Sequence, residues 1–212
     1  WMINMLYLLM IFLLPIFIVV LLLPFKFTID SLIILFKAPG QLFAIANNQL
    51  LRKNHALEHA TVNILEREYG YSNLSGLAEE NGFYVNGVIN PKDVEAAAKE
   101  GLLRLQQGER DLVVHKQCGT SLTVANLVSA IVFILLLLLT GSFSLINMLF
   151  AIIIANFIGP QLGVWVQKNF TTSYQVDNME INGVQLLQSS QVMLGINVPK
   201  KIFVRTSELV WR

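Results

Sequence analysis

Cysteine and charge are what this sequence has least of. Its 212 residues include one cysteine, Cys118, so no internal disulfide can form and a disulfide-stapled secreted module is excluded. Charged residues make up 14% of the chain, where soluble domains carry about 25%. Hydrophobic residues make up 54% and mean hydropathy is +0.58, the balance of a membrane protein. A net charge of +1 gives neither a basic face nor an acidic tail, so no nucleic-acid partner is expected. The lone thiol fits a reducing compartment. Histidine is scarce too, at three residues.

Residues 2–25 carry no charge, and at 1.5 Å per residue they can cross a hydrocarbon core of about 30 Å. They lack the basic leader and small-residue cleavage site of a signal peptide, so an anchor is expected, with a tolerated kink at Pro15. Trp1 is not an ordinary first residue, and further sequence is expected before it. Residues 30–38 are too short to span and end at Pro39-Gly40, which reads as an interfacial or re-entrant helix. A helical pattern then runs from Gln41 to Tyr69, with Gly70 as its cap.

Residues 71–120 read as a small module. Asn81-Gly82 and Asn86-Gly87 mark turns of a hairpin. Asn90 and Pro91 start a helix that runs to Gly108. Residues 111–115 read as a strand and Cys118-Gly119-Thr120 as the turn leaving it. Residues 122–140 and 145–166 are two further spans joined at 141–144, with Trp165 at an interfacial position. Strand-like runs follow at 192–198 and 202–204. The expected fold is an integral membrane, mainly α protein: three transmembrane helices with a small cytoplasmic α+β module between the first and second. Its domains would be an anchor (1–25), a region holding the interfacial segment, a long helix and the module (26–120), a transmembrane hairpin (121–167), and a cytoplasmic tail with short strands (168–212).

All 15 Lys and Arg lie within 26–120 or 168–212. Three spans put those regions on one side, and the positive-inside rule makes it cytoplasmic, or stromal in a plastid. The lipid bilayer is the expected partner.

The chemistry concentrates at Arg52-Lys53-Asn54-His55-Ala56-Leu57-Glu58-His59. His55, Glu58 and His59 form H-x-x-E-H. On a helix Glu58 falls about 60° to one side of His55 and His59 about 40° to the other, so the three share a face. Two imidazoles one turn apart can grip one metal ion, and the carboxylate can serve a water beside it. His115 and Cys118 form a second spaced pair. Three imidazoles and a thiolate are a tetrahedral zinc set, and their softness favours Zn2+ over magnesium or calcium. If all four bind, the shell is closed and structural; if one of the second pair stays out, Glu58 has a water to activate.

Plainer readings compete. The histidines can be caps or headgroup contacts, and Glu58 can pair with Arg52 or Lys53. Cys118 as a nucleophile with His115 as base lacks an orienting carboxylate. Asn126 and Asn156 read as interhelical hydrogen-bonding residues, and Met2, Met5 and Met10 as lipid-facing bulk. Glu79-Glu80 reads as a solvated loop able to supply an oxygen ligand. Lys200, Lys201 and Arg205 suit anionic headgroups.

His55-Ala56-Leu57-Glu58-His59 resembles the inverzincin (pitrilysin-type) motif. That resemblance implies zinc on His55 and His59 with Glu58 as base, but the third ligand of that family, a glutamate from a later helix, would fall in the uncharged second span. The segments 54–61, 115–120 and 167–173 resemble an uncharacterised, domain-of-unknown-function family of small multi-span membrane proteins common in cyanobacteria, which implies a plasma or thylakoid membrane. The expected function is a cytoplasmic-side His/Cys zinc site held by His55, His59, His115 and Cys118, serving a metal-dependent hydrolase with Glu58 as base. The alternative is a non-enzymatic assembly or scaffold factor for a membrane-protein partner, its histidines structural.

Overall fold

A computed structural model describes residues 2–188, 192–193, 196–197 and 200–209. Trp1, Val198 and Pro199, on which some of these expectations fall, lie outside them. The chain divides into two compact units, residues 1–39 with 125–159, and residues 40–124 with 160–212.

Among the described residues, three helices are long and apolar enough to cross a membrane: α1 (Met2–Ala46), α4 (Gly119–Thr140) and α5 (Leu145–Val166). In the first unit Phe27 meets Phe133 edge-on at 4.8 Å between ring centroids. Gly159 lets α5 approach α4, since a Cβ there would lie 2.6 Å from that of Ala125. Asn147 closes the α4–α5 turn by donating to Thr140 Oγ1 and the Ser142 carbonyl. Large apolar side chains such as Leu138, Leu139 and Phe157 stay exposed, more than an ordinary water-facing helix pair presents.

The interfacial helix expected at 30–38 is not a separate element. α1 runs for 45 residues through Pro15, Pro24 and Pro39. Proline removes one donor and kinks a helix without having to end it, and Gly40 meets no crowding in the same turn. The helix expected over 41–69 is divided instead at Asn47–Asn48. Asn48 adopts an extended backbone and its side chain accepts from the Leu51 amide, which starts α2 (Gln49–Arg67). This is the preferred N-cap chemistry of asparagine. Asn156 also departs from expectation, since its amide returns to the Ile152 carbonyl of its own helix.

The second unit packs α2 and α3 (Pro91–Gln106) on a four-stranded antiparallel sheet of order β1-β2-β6-β3. The strands are β1 (Ser75–Glu79), β2 (Gly82–Gly87), β3 (Met179–Gln188) and β6 (Lys200–Glu208); β4 (Val192–Met193) and β5 (Ile196–Asn197) form a separate short ladder. Leu57, Ile64 and Leu65 of α2 join Phe83, Val85, Ile202 and Val204 in one buried core. Gly101 brings α3 against α2, where a Cβ would lie 3.1 Å from that of Ala60. The hairpin and α3 stand where expected, α3 with Asn90 as its cap. Gly70 at φ +75° ends α2, with Tyr71 N–H returning to the Leu65 carbonyl, as in a Schellman cap.

The module is not confined between the first and second spans. Its sheet takes β3 and β6 from the 168–212 region, because a two-stranded hairpin alone buries too little to be stable. The expected strand at 111–115 is instead a 3-10 turn, Arg110–Val113. Its carbonyls are taken by side chains of α2 rather than by a neighbouring strand: Asn63 donates to the Leu112 and Val114 oxygens.

Candidate metal centre

Every residue of α2 from Lys53 to Leu65 is buried, so its polar side chains need partners inside the fold. Asn54 donates to the Glu79 and Glu80 carbonyls and accepts from Thr206 Oγ1. Lys53 reaches Glu208 at 2.6 Å and Asn178 at 2.8 Å. Arg52 donates to the Asn169 and Thr172 carbonyls. Neither cation pairs with Glu58, which removes the plainest account of that carboxylate.

The histidines are oriented from behind. His55 Nδ1–H donates to the Thr171 carbonyl at 2.8 Å, and His59 Nδ1–H to the Val113 carbonyl at 2.6 Å. Those bonds fix the tautomer and leave each Nε2 as a lone pair. His55 Nε2 lies 3.4 Å from Cys118 Sγ, and His59 Nε2 is buried with no partner among the described residues. Ligand atoms of His55, His59 and Cys118 all fall within 4.8 Å of one another, so the three can hold a metal ion. Zinc bonds of about 2.0–2.3 Å require ligand separations of roughly 3.5 Å, which the observed spacing reaches by a small closure. Glu58 Oε2 stands 3.8 Å from His55 Nε2 and 3.9 Å from His59 Nε2.

Burial governs the ionisation here. It pushes the Glu58 carboxyl up to about 8, with His55 opposing and Cys118 adding to the rise. It holds His59 well below the usual imidazole range, and so in the neutral form that binds metals. It also raises the Cys118 thiol, against hydrogen bonds from Thr120. A cation among these groups would oppose the burial effect on both acids.

His115 stands apart from the trio. Its Nε2 faces Glu66 at 3.1 Å, while its ring is 6.0 Å from that of His59. Fully buried Gln167 holds its backbone, accepting from the His115 N–H at 3.0 Å and donating to its carbonyl. Glu79 and Glu80 are elsewhere: the Glu80 carboxylate accepts from the Asn48 side chain.

Two supporting residues escaped the sequence reading. Gly76 of β1 lies against the Glu58 side chain, so close that a Cβ would fall 1.8 Å from Oε1. Thr171 belongs to the π-helical turn Gln167–Thr171 that follows α5; only its place in the 167–173 segment hinted at a role. Beside the trio opens a cavity of about 730 Å³, with His55, Glu58 and Cys118 at one wall and Leu42, Ile45 and Leu77 among its apolar lining.

Residues 50–184 match a domain of unknown function, DUF6391. The chain belongs to the DUF6391 family. An uncharacterized protein of Picosynechococcus sp. (strain PCC 7002) is 33% identical over 147 residues, covering 64% of this chain and 71% of the relative. No solved structure matches. The DUF6391 segment contains the whole trio, Glu58, Gly76, Thr171 and both helices of the α5–α4 pair.

Proposed function

We propose that the protein is an integral membrane zinc hydrolase whose ion is held by His55, His59 and Cys118, with Glu58 as the base. The observation that carries this reading is the convergence of two imidazole Nε2 lone pairs, each set by a backbone carbonyl behind it, one of them buried without a partner among the described residues. A buried polar atom left unpaired costs about 1–3 kcal/mol, and a metal ion at this point would remove that cost.

Zinc with three protein ligands keeps a position open, polarises a carbonyl and brings the pKa of water down to about 7. Glu58, whose Oε2 lies 3.8 and 3.9 Å from the two Nε2 atoms, would accept a proton from a water held there and return it to the leaving group. His115, in this reading, is no ligand; with Gln167 it holds the loop that carries Cys118. The apolar cavity fits a substrate with a hydrocarbon arm next to its ester or amide bond. α1, α4 and α5 would cross the bilayer, with the centre on the cytoplasmic or stromal side.

The same Nδ1 bonds favour a second reading, in which the histidines only clasp Thr171 and Val113 to α2 and the protein is a scaffold. Metal analysis of the full chain purified in detergent separates the two. One zinc per chain, lost in His59→Ala and Cys118→Ser, is expected. Zinc at trace level, or zinc indifferent to both substitutions, refutes the metal centre. With zinc present, Glu58→Gln should abolish hydrolysis of p-nitrophenyl octanoate while keeping the metal; equal hydrolysis by wild type and variant refutes catalysis by Glu58.

A further inference from the structure

A second cavity, of about 490 Å³, involves none of the metal-centre residues. It is lined by Ala46, Asn47, Gln49, Arg52, Lys168, Asn169 and the segment 172–175, with no acidic side chain among them. We propose that it binds a phosphate group.

Arg52 is fixed for the task. Its Nη2 donates to the Thr172 and Asn169 carbonyls at 3.1 and 3.4 Å, and its backbone carbonyl accepts from Ser173 N–H. Those contacts are to neutral carbonyls, so the fixed guanidinium keeps its full charge at a wall with no acidic side chain. A fixed guanidinium at a wall without carboxylates attracts an anion, and a phosphate oxygen is an acceptor suited to its charge.

Lys168 supplies a second positive charge. Its nearest described carboxylate is Asp111, at 3.7 Å with 90% of that side chain exposed, a contact too long and too wet to neutralise it. Gln49 opens α2, so the positive end of that helix borders the cavity. Asn47 and Ser173 add neutral donors. The other cation near this wall, Arg110, lies over the Tyr174 ring at 4.1 Å.

Placement along the chain favours a lipid as the source of the phosphate. Ala46 is the last residue of α1 and Lys168 lies two residues past the end of α5. Both helices are long and apolar enough to cross a membrane, so the cavity forms where two such helices end. That is the level of phospholipid headgroups.

The test uses the full chain in a nonionic detergent, with its melting temperature followed as a probe is added. One arm adds short-chain phosphatidylglycerol and the other inorganic phosphate, with short-chain phosphatidylcholine as reference. Stabilisation by phosphatidylglycerol beyond phosphatidylcholine is expected. Lys168→Gln should weaken that response about tenfold, the worth of one charged hydrogen bond. Lys168 is half exposed, so this variant should fold; Arg52→Lys, which keeps a charge but loses the clasp on the Asn169 and Thr172 carbonyls that places it, should weaken binding as well. A response to inorganic phosphate of equal strength assigns the site to the free anion, whereas a response to the lipid alone assigns it to the headgroup. No response in either arm overturns the proposal. So does a response that Lys168→Gln leaves intact, or that Lys92→Gln, far along the chain on α3, reduces equally.

Discussion

Gly76→Ala is the sharpest test of how the proposed metal centre is built. The added Cβ would fall 1.8, 2.2 and 2.5 Å from Oε1, Cδ and Cγ of Glu58. Ordinary contact begins near 3.4 Å, so the carboxyl must retreat by roughly 1.6 Å or β1 must lift away from α2. Glu58 is 5% exposed and closed in by His55 and His59, which leaves little room to yield. Overpacking of this kind costs about 1–3 kcal/mol, or roughly 5–10 °C in melting temperature for a unit of this size. Moving the base by more than an ångström should lower any hydrolytic rate about 100-fold. Any bound zinc should stay, since the three atoms an added Cβ would strike all belong to Glu58 and none to His55, His59 or Cys118. The assay is a double-mutant cycle on purified full chain, with Glu58→Ala as the second substitution. Because Glu58→Ala removes all three clashing atoms, the Gly76→Ala penalty should vanish in that background. A penalty of equal size with and without the Glu58 side chain would refute the packing argument, as would a Gly76→Ala protein that melts like wild type.

Three further outcomes follow from the same contacts. Glu208 is held below the usual carboxylate range chiefly by Lys53, with Asn178 assisting. The stability it confers is therefore complete above the ordinary carboxylate pKa and is lost as pH falls through its lowered value; acid melts should show Glu208→Gln flattening that limb. Gln167→Leu strips the His115 N–H and carbonyl of their partners in a buried site, and should lower stability by about 2–4 kcal/mol in denaturant titration. Unchanged stability would deny Gln167 its clamping role. Gly159→Leu places a bulky chain where even a Cβ meets Ala125 at 2.6 Å; it should weaken helix association by about 1–3 kcal/mol, read by helix crosslinking or by resistance to detergent exchange.

Local chemistry was readable and distant pairing was not. α3 is announced by Asn90 and Pro91, and α4 and α5 by runs of apolar residues that need no partner to be recognised. The His55–Glu58–His59 face follows from helical spacing alone. Cys118 could be matched to it only by supposition, because no spacing rule joins residues 63 positions apart. Residues 111–113 have strand composition, but α2 takes their carbonyls through Asn63 and His59 before a strand can. β3 mixes Glu180, Asn182 and Gln185 with apolar residues and shifts register twice, so its period is blurred. Gly76 carries no motif; its meaning lies wholly in the carboxylate it faces.

The order of strands in the sheet also sets a clock. β6 sits between β2 and β3, yet the ribosome makes it after all the others and after both α4 and α5. Until then β2 has an open edge, Asn54 lacks its Thr206 partner, and buried Lys53 lacks Glu208. A nascent chain that already carries His55, Glu58, His59 and Cys118 therefore holds α2 without two of its polar partners. The helix that carries the candidate ligands is thus completed by the last strand of the sheet to be made, after both apolar helices have been delivered.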